Sequence, residues 1–345
     1  MSDEFQRFLD SLDDMGPRSM DSVDLDALLS LSGQERLDAE KILIDNLVEN
    51  DWRVPRALVD LESVAAVEPI RRELGKKHGE MMRVELARAL KELAGDDSGR
   101  PLVIEVLQRS TGWPQRLNAV NALVTLGGPE ADAALLEALD DAESTVRGHA
   151  LTSLLKLRGL ASYDTDYYDY VGMQRVRLAS PLRSIAAPAA EALRQDFRAL
   201  AQGVKPAALG FDYRVDRDKD AVRRLVSSIA SGGKLDVSGW ASLDEREQEW
   251  AVHVILSRLT TNPGAAAALA RLGATSAVGP LREVLRSAEG ELSLEVGIAL
   301  WFLLGSASRA EVTQALERLA TSEDPQLSAK AADALRQVQK DNPPA

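Results

Sequence analysis

The sequence predicts an all-α protein, a solenoid of stacked antiparallel helical hairpins that is interrupted by a central irregular insertion. Hydrophobic residues make up 45% of the 345 residues but aromatic residues only 4%. The core must therefore be built from alanine, leucine and valine, which suits closely packed helices better than a sheet. The chain is also longer than one ordinary domain, which implies two domains or one elongated array. Finally, a small-residue pattern recurs along the chain, as in proteins built from structural repeats.

The repeated pattern is clearest around Arg147, which is followed by Ala150 at the third position, Ser153 at the sixth and Leu154 at the seventh. Spacings of three, four and seven residues mark one face of a helix, and small side chains there let a neighbouring helix approach closely. The anchors 83, 116 and 147 lie 33 and 31 residues apart, and the anchors 293 and 328 lie 35 apart. We name this pattern, counted from its first residue, the repeat frame; besides Arg147, it begins at Arg83, Arg116, Ser293 and Ser328.

Another helical segment precedes each clear copy of the repeat frame and would form the first helix of a hairpin. Such segments lie at 133–139 before Arg147, at 280–285 before Ser293 and at 312–319 before Ser328. The turns that join them to the frame are short and polar, and Asp324 followed by Pro325 is typical of a helix start. The predicted unit is therefore a helical hairpin, stacked side by side with its neighbours.

These hairpins resemble the HEAT-repeat superfamily, in particular the short HEAT-like repeats first described in phycobilin lyases. The resemblance is clear over 80–160 and 265–340, and a weaker hairpin is predicted at 34–74. It implies a right-handed solenoid and a ladder of turn aspartates and helix arginines, in which Asp141 would pair with Arg147. The architecture says little about function, because it serves many binding tasks. The residues that match the family best are Asp140, Asp141, Val146, Arg147, Ala150 and Leu154.

The predicted segments are an N-terminal cap or arm at 1–33, repeats at 34–160, an irregular junction at 161–242, further repeats at 243–340 and a tail at 341–345. Residues 1–30 hold eight acidic residues and two arginines, a balance of −6 out of the net charge of −13. Phe5, Phe8, Leu9 and Leu12 would share one helical face there. This segment is either a helix that caps the first repeat or a mobile arm that docks on a partner or a second copy.

An acidic, tyrosine-rich segment directly follows the clearest repeat. It holds four of the five tyrosines of the chain and no basic residue. Tyrosine is favoured at interfaces, so the segment could contact a basic partner by charge pairing and cation–π contact. Alternatively, its rings pack over an exposed repeat edge and its aspartates cap helices. The candidate binding residues in this segment are Tyr163, Asp164, Asp166, Tyr167, Tyr168, Asp169 and Tyr170.

No catalytic, cofactor or metal site is predicted. The three histidines are far apart in sequence, no phosphate-binding loop or nucleophile motif is present, and the absence of cysteine excludes thiolate chemistry. The net charge of −13 argues against general affinity for nucleic acid. The longest strongly apolar run, 297–305, is too short to span a bilayer, and no signal peptide is seen at the start. We therefore expect a cytoplasmic protein without a membrane partner.

The predicted function is a non-catalytic scaffold or adaptor that binds a protein partner, and the acidic balance favours a basic one. One alternative is an immunity protein or inhibitor that neutralises a toxin such as a nuclease, which the aspartate- and tyrosine-rich segment favours. Another, which comes only from the resemblance, is an enzyme of the phycobilin lyase type. Oligomeric state is not indicated. On the repeats, the candidate binding residues are Arg116, Asn118, Asn121, Arg147 and His149.

Overall fold

The computed structural model describes residues 1–13, 23–163, 169–231, 235–262 and 264–340. Throughout these residues the regular elements are helices. One isolated β-bridge pairs Asp169 with Arg214. The chain divides into two compact units, Met1–Ala161 and Ser162–Ala345. Each unit is built from packed helical hairpins, which confirms the predicted all-α solenoid class.

The first unit contains four consecutive hairpins. These pair α3 with α4, α5 with α6, α7 with α8, and α9 with α10. The second helices α4, α6, α8 and α10 pack against one another in succession, while α7 packs against α9 on the other side. The helices are α1 Asp3–Asp13, α2 Leu25–Ser30, α3 Gly33–Asp45, α4 Arg53–Asp60, α5 Val67–Leu74, α6 Glu80–Ala94, α7 Arg100–Arg109, α8 Trp113–Leu126, α9 Pro129–Ala138 and α10 Ser144–Leu157.

The small residues of the repeat frame lie where the second helices meet. Ala119 and Ala122 on α8 and Ala150 on α10 are almost completely buried, so these two helices pack closely. Ser153 is buried as well, and its hydroxyl donates to the carbonyl of Val120 at 3.4 Å. The weaker hairpin expected at 34–74 is divided differently, because α3 and α4 form one hairpin and α5 begins the next.

The N-terminal helix α1 packs on the first hairpin of this unit. Phe8 is fully buried in the same core as Leu28, Leu43 and Leu58. Arg53, at the start of α4, is also buried and donates hydrogen bonds to the carbonyl oxygens of residues 11 and 12, at the end of α1. These carbonyls have no partner within their own helix, so Arg53 ties the end of α1 to the repeats. The packing is that of a capping helix rather than of a free arm.

The second unit is also built from hairpins, which pair α11 with α12, α16 with α17, and α18 with α19. Helices α14, α15, α17 and α19 pack in succession, and α12 packs against α16, where Glu283 accepts from the backbone nitrogens of Arg183 at 2.7 Å and Ser184 at 2.8 Å. The helices are α11 Tyr170–Leu178, α12 Arg183–Ala201, α13 Asp220–Ala230, α14 Glu245–Leu256, α15 Gly264–Arg271, α16 Val278–Ser287, α17 Gly290–Leu304, α18 Arg309–Ala320 and α19 Pro325–Lys340.

The segment 161–242, expected to be an irregular junction, holds more regular structure than the sequence indicates. Helices α11 and α12 form a hairpin there, whereas α13 lies close to the single helix expected at 219–229. The hairpin escaped prediction because its second helix contains Pro188, a residue that normally breaks helices, and because neither helix carries the repeat frame. Pro188 is exposed, so its ring meets solvent rather than a packed neighbour.

Within the described residues, one stretch, Gly290–Ala320, is long and apolar enough by composition to cross a membrane. A single such stretch is weak evidence, because core helices pass the same test. The fold divides it into α17 and α18, which pack against each other on either side of a turn at Gly305. Gly305 has a φ of +53°, a conformation that glycine adopts without strain. The absence of a membrane partner stays a prediction.

Candidate protein-binding face

A row of polar side chains extends over the second helices α4, α6, α8 and α10 of the first unit. They occupy equivalent places in the repeat frame, since Glu85, Asn118 and His149 stand two residues after their anchors, and Arg88 and Asn121 stand five after theirs. Residues three apart lie on the same face of a helix. Arg56 on α4 joins them through direct contacts. We name this set the polar row; its members are Arg56, Glu85, Arg88, Asn118, Asn121 and His149.

Glu85 is the buried centre of the polar row. Its carboxylate is fully buried and lies 2.6 Å from Nη2 of Arg56 and 3.2 Å from Nη2 of Arg88. A buried carboxylate is tolerated only with such partners, because removal from water costs several kcal/mol. The guanidinium of Arg56 also stacks over the ring of Trp52, with Cζ 4.7 Å from the ring centroid. The arginine is therefore held in one orientation across α4, α6 and α8.

Asn118 contributes a hydrogen-bond donor that the described residues leave unused. Its Oδ1 accepts from Nη2 of Arg56 at 3.2 Å, but its Nδ2 is buried and has no hydrogen-bond partner among the described residues. Buried polar atoms are seldom left in this state, so Nδ2 is suited to an acceptor such as a buried water. Asn121 and His149 are exposed, and Oδ1 of Asn121 lies 3.2 Å from Nδ1 of His149.

Arg116 and Arg147, both predicted to bind a partner, are engaged in contacts within the stack. Arg116 forms a two-pronged ion pair with Asp141, with both N···O distances 2.8 Å, and these hydrogen bonds raise the pKa of its guanidinium. Arg147 is buried and donates from Nη1 to the carbonyl oxygens of Asp141 at 2.7 Å and Ala142 at 2.9 Å. Neither side chain is a member of the polar row.

The prediction that the carboxylate of Asp141 pairs with Arg147 is therefore wrong. The carboxylate of Asp141 binds Arg116, the arginine of the preceding hairpin, whereas Arg147 contacts Asp141 through its main-chain oxygen. Arg147 stands six residues after Asp141, so its guanidinium reaches back over the carbonyls of its own turn. Arg116 makes the same contact with its own turn, through the carbonyls of Ser110 and Thr111. The ladder thus joins successive hairpins.

The described residues of the tyrosine-rich segment have packing and capping roles. The ring of Tyr163 lies edge-on to Phe211 with centroids 5.9 Å apart, and Tyr170 packs on the same ring at 5.4 Å. The hydroxyl of Tyr170 donates to Asp196, and burial together with this carboxylate raises the pKa of the phenol. Asp169 caps α11 and is itself buried. The remaining predicted residues lie outside the described residues; these are Asp164, Asp166, Tyr167 and Tyr168.

A second group of ionisable side chains lies where α11 and α14 of the second unit meet, with His253 largely buried and Glu249 exposed. His253 Nε2 is 3.6 Å from a carboxylate oxygen of Glu249, and this nearby imidazole lowers the pKa of that carboxyl. Burial lowers the pKa of Arg177, which faces the same pair. Nδ1 of His253 is buried without a hydrogen-bond partner in the described part of the chain. This group has no nucleophile and no second carboxylate in contact, so we assign it no reaction.

The described residues hold no group of three or more side chains arranged to bind a metal ion. His78 is engaged with Glu73, at 3.0 Å from Nε2 to the carboxylate, and Glu73 also pairs with Lys76. His149 contacts an asparagine. The polar row extends across α4, α6, α8 and α10 and is therefore the candidate functional site.

Sequence reasoning missed three members of the polar row, Arg56, Glu85 and Arg88. Their contacts join residues 29 and 62 positions apart, which hydrophobic periodicity does not report. A usable signal was nevertheless present. The residues two and five places after each arginine anchor are polar in all three copies, whereas the residues three and seven places after it are apolar.

A family model of HEAT repeats matches residues 67–155. The match begins at the first residue of α5 and ends within α10, so it covers three hairpins and every member of the polar row except Arg56. The resemblance to the HEAT-repeat superfamily is therefore confirmed over these residues, and HEAT repeats generally serve in protein interaction and are typically not enzymes. No curated protein matches the chain.

Proposed function

We propose that this protein is a non-catalytic scaffold that binds a protein partner through the polar row. The observation that carries the proposal is the polar row itself, a set of side chains at equivalent repeat positions that reaches the surface at Asn121 and His149. A partner that forms hydrogen bonds with these exposed side chains gains about 0.5–1.5 kcal/mol for each bond.

The polar row is suited to a polypeptide. Asn121 and His149 at its exposed end present both donors and acceptors, which match the alternating N–H and C=O groups of a peptide backbone. The paired charges of Glu85 with Arg56 and Arg88 hold the surrounding side chains in place, so little conformational entropy is lost when a partner binds.

The net charge supports a basic partner. The chain carries −13, and Asp3, Glu4, Asp10 and Asp13 on the capping helix are exposed. Such a field raises the association rate of positively charged proteins and lowers that of acidic ones, and the effect weakens as salt is added.

The proposal is tested by affinity capture with the full chain and with the double variant Asn121→Ala/His149→Ala. Both side chains are exposed, so the variant should keep the fold. We expect a captured protein to bind the variant about tenfold or more weakly, which corresponds to the loss of one or two hydrogen bonds. The matched control is Gln108→Ala/Arg109→Ala, two exposed residues of α7. A partner that binds the polar-row variant as tightly as the control would refute the proposed face.

The two alternative functions gain no comparable support. An inhibitor that imitates nucleic acid with aspartates and tyrosines needs those groups exposed, but Tyr163 and Tyr170 pack on Phe211 and Asp169 caps a helix. An enzyme of the phycobilin lyase type needs a pigment site, and the match to known families covers the repeats alone. We therefore retain the binding scaffold as the proposed function.

A further inference from the structure

An apolar groove of about 170 Å³ lies between α15 and α17 in the second unit. On α17 it is lined by Glu295, Ile298, Ala299 and Phe302, whose spacing of three, four and seven residues defines one helical face. The facing side chains of α15 are Ala267, Ala270 and Arg271. Sites for small molecules usually exceed about 300 Å³, so this groove has room for one long side chain rather than for a whole ligand.

Phe302 stands at the groove with 75% of its surface exposed. Ile298, one turn before it on the same face, is partly buried against the core of the unit. Exposed apolar surface that is continuous with a groove is typical of a binding site. The flat face of the ring also attracts cations, and arginine more often than lysine.

Glu295 supplies a carboxylate that lacks a cation. It is partly buried, and within 4.0 Å it forms no ion pair with the described residues. Burial raises the pKa of its carboxyl, and the charge of Glu291 adds to this, while Lys330 opposes it. Lys330 is already paired with Glu291 at 2.9 Å. Glu295 therefore carries a charge that is partly removed from water and left without a partner, which a bound cation would stabilise.

The repeat frame places Glu295 in the same register as the polar row. It stands two residues after Ser293, as Glu85 stands two residues after Arg83 in the first unit. Glu85 is paired with two arginines of its own chain, whereas the described residues supply none to Glu295 within 4.0 Å. The same position of the repeat frame thus holds a carboxylate that pairs with arginines in the first unit, and one that pairs with no described cation in the second unit.

We propose that the groove binds an arginine side chain of the protein partner, with its guanidinium between the carboxylate of Glu295 and the ring of Phe302. This inference rests on the proposed function of partner binding and adds the chemistry of one contact. The planar guanidinium can pair with a carboxylate and stack on an aromatic ring at the same time, which the ammonium of lysine cannot. The methylene groups of the arginine would lie on Ala267 and Ile298.

An anionic side chain fits the groove less well, although Arg271 also lines it. Arg271 is exposed and hydrated, so pairing with an anion would gain little free energy. An anion would also lie beside Glu295, whose charge is already poorly solvated. Removal of Arg271 therefore distinguishes the two cases, since it should not weaken the binding of a cation.

The test uses a fluorescein-labelled peptide of alanine and glutamine that carries two arginines seven residues apart, with binding to the full chain measured by fluorescence anisotropy. We expect Glu295→Gln and Phe302→Ala each to weaken binding about tenfold, and the citrulline peptide, which has the same shape without the charge, to bind as weakly as those variants do. The matched control is Glu317→Gln, which removes the same charge from an exposed position of α18 and should leave affinity unchanged. Arg271→Ala should not weaken binding.

Two results would overturn the inference. Equal binding of the arginine peptide to Glu295→Gln, Phe302→Ala and the control would show that the peptide binds elsewhere on this acidic chain. Loss of binding in Arg271→Ala with Glu295→Gln unaffected would show a site for anions. Neither result bears on the polar row, because that site is tested with a captured partner and with variants of the first unit. If the capture experiment fails while the arginine peptide behaves as expected, the proposed function alone is contradicted.

Discussion

At the scale of single residues, burial decides which ionisable groups carry charge. His253 on α14 is largely buried, and burial lowers the pKa of its imidazole. The carboxylate of Glu249 on the same helix opposes this shift, and the guanidinium of Arg177 on α11 adds to it. In the unfolded chain the same histidine would titrate near 6.5. The folded state therefore binds its proton at lower pH than the unfolded state does.

This difference predicts that acid destabilises the second unit through His253. Between the unfolded and the folded pKa the unfolded chain holds one more proton, so stability present above pH 6.5 is lost as the pH falls. The slope from one such group is at most about 1.4 kcal/mol per pH unit. We expect His253→Gln to flatten the dependence of the melting temperature on pH between pH 7 and 5, measured by circular dichroism. The control Gln314→Ala, at an exposed position of α18 that does not titrate, should keep the slope of the parent protein.

At the scale of elements, the contacts that join helices are of two kinds. Alanines of the repeat frame, such as Ala119 and Ala150, let second helices pack closely, and arginines then tie each hairpin to a turn. Arg116 binds the turn of the following hairpin, and Arg53 binds the end of the capping helix. Apolar burial supplies most of the free energy of stacking, while these directional contacts set the register of successive hairpins.

The capping helix α1 should be essential to the stability of the first unit. Phe8→Ala removes a fully buried ring, and such changes cost about 3–5 kcal/mol because a cavity remains. Leu37→Ala on α3 is the control, since that side chain is 58% exposed and its removal should change stability by about 0.5 kcal/mol or less. Urea unfolding followed by circular dichroism measures both. Equal stability of the two variants would mean that α1 is a detachable arm.

At the scale of the whole molecule, each unit contains a hydrophobic cluster built from its own residues alone. One buried cluster of the first unit includes Phe8, Leu43 and Leu90, and the main cluster of the second extends from Met173 to Val338 within its own residues. Neither cluster contains a residue of the other unit. A unit with its own core is expected to fold as a domain.

Separate expression of 1–161 and 162–345 tests this expectation. We predict that each fragment is helical and unfolds in one cooperative thermal transition, because each retains its stacked hairpins and buried core. The full chain, measured under the same conditions, serves as the reference. A fragment that lacks a cooperative transition would show that its core needs the other unit.

Much of the fold was predictable because the repeat frame is local. Arg147, Ala150 and Leu154 lie within eight residues of one another, so a single helix displays the pattern that stacks it. The hairpin of α11 and α12 was missed because Pro188 resembles a helix stop. The candidate site was predicted only in part, as Asn118, Asn121 and His149 lie in the polar row but Arg116 and Arg147 do not.

The sequence by itself determined the all-α class, the hairpin repeat and the positions of the second helices, since periodicity and small residues are properties of neighbouring positions in the chain. The tertiary structure alone decided which polar groups meet. Arg56 reaches Glu85 and Asn118 across two hairpins, and the carboxylate of Asp141 binds the arginine of the preceding hairpin rather than that of its own. The physical reason is that partners of buried charges are selected by distance in space, and stacking brings together residues that lie far apart in sequence.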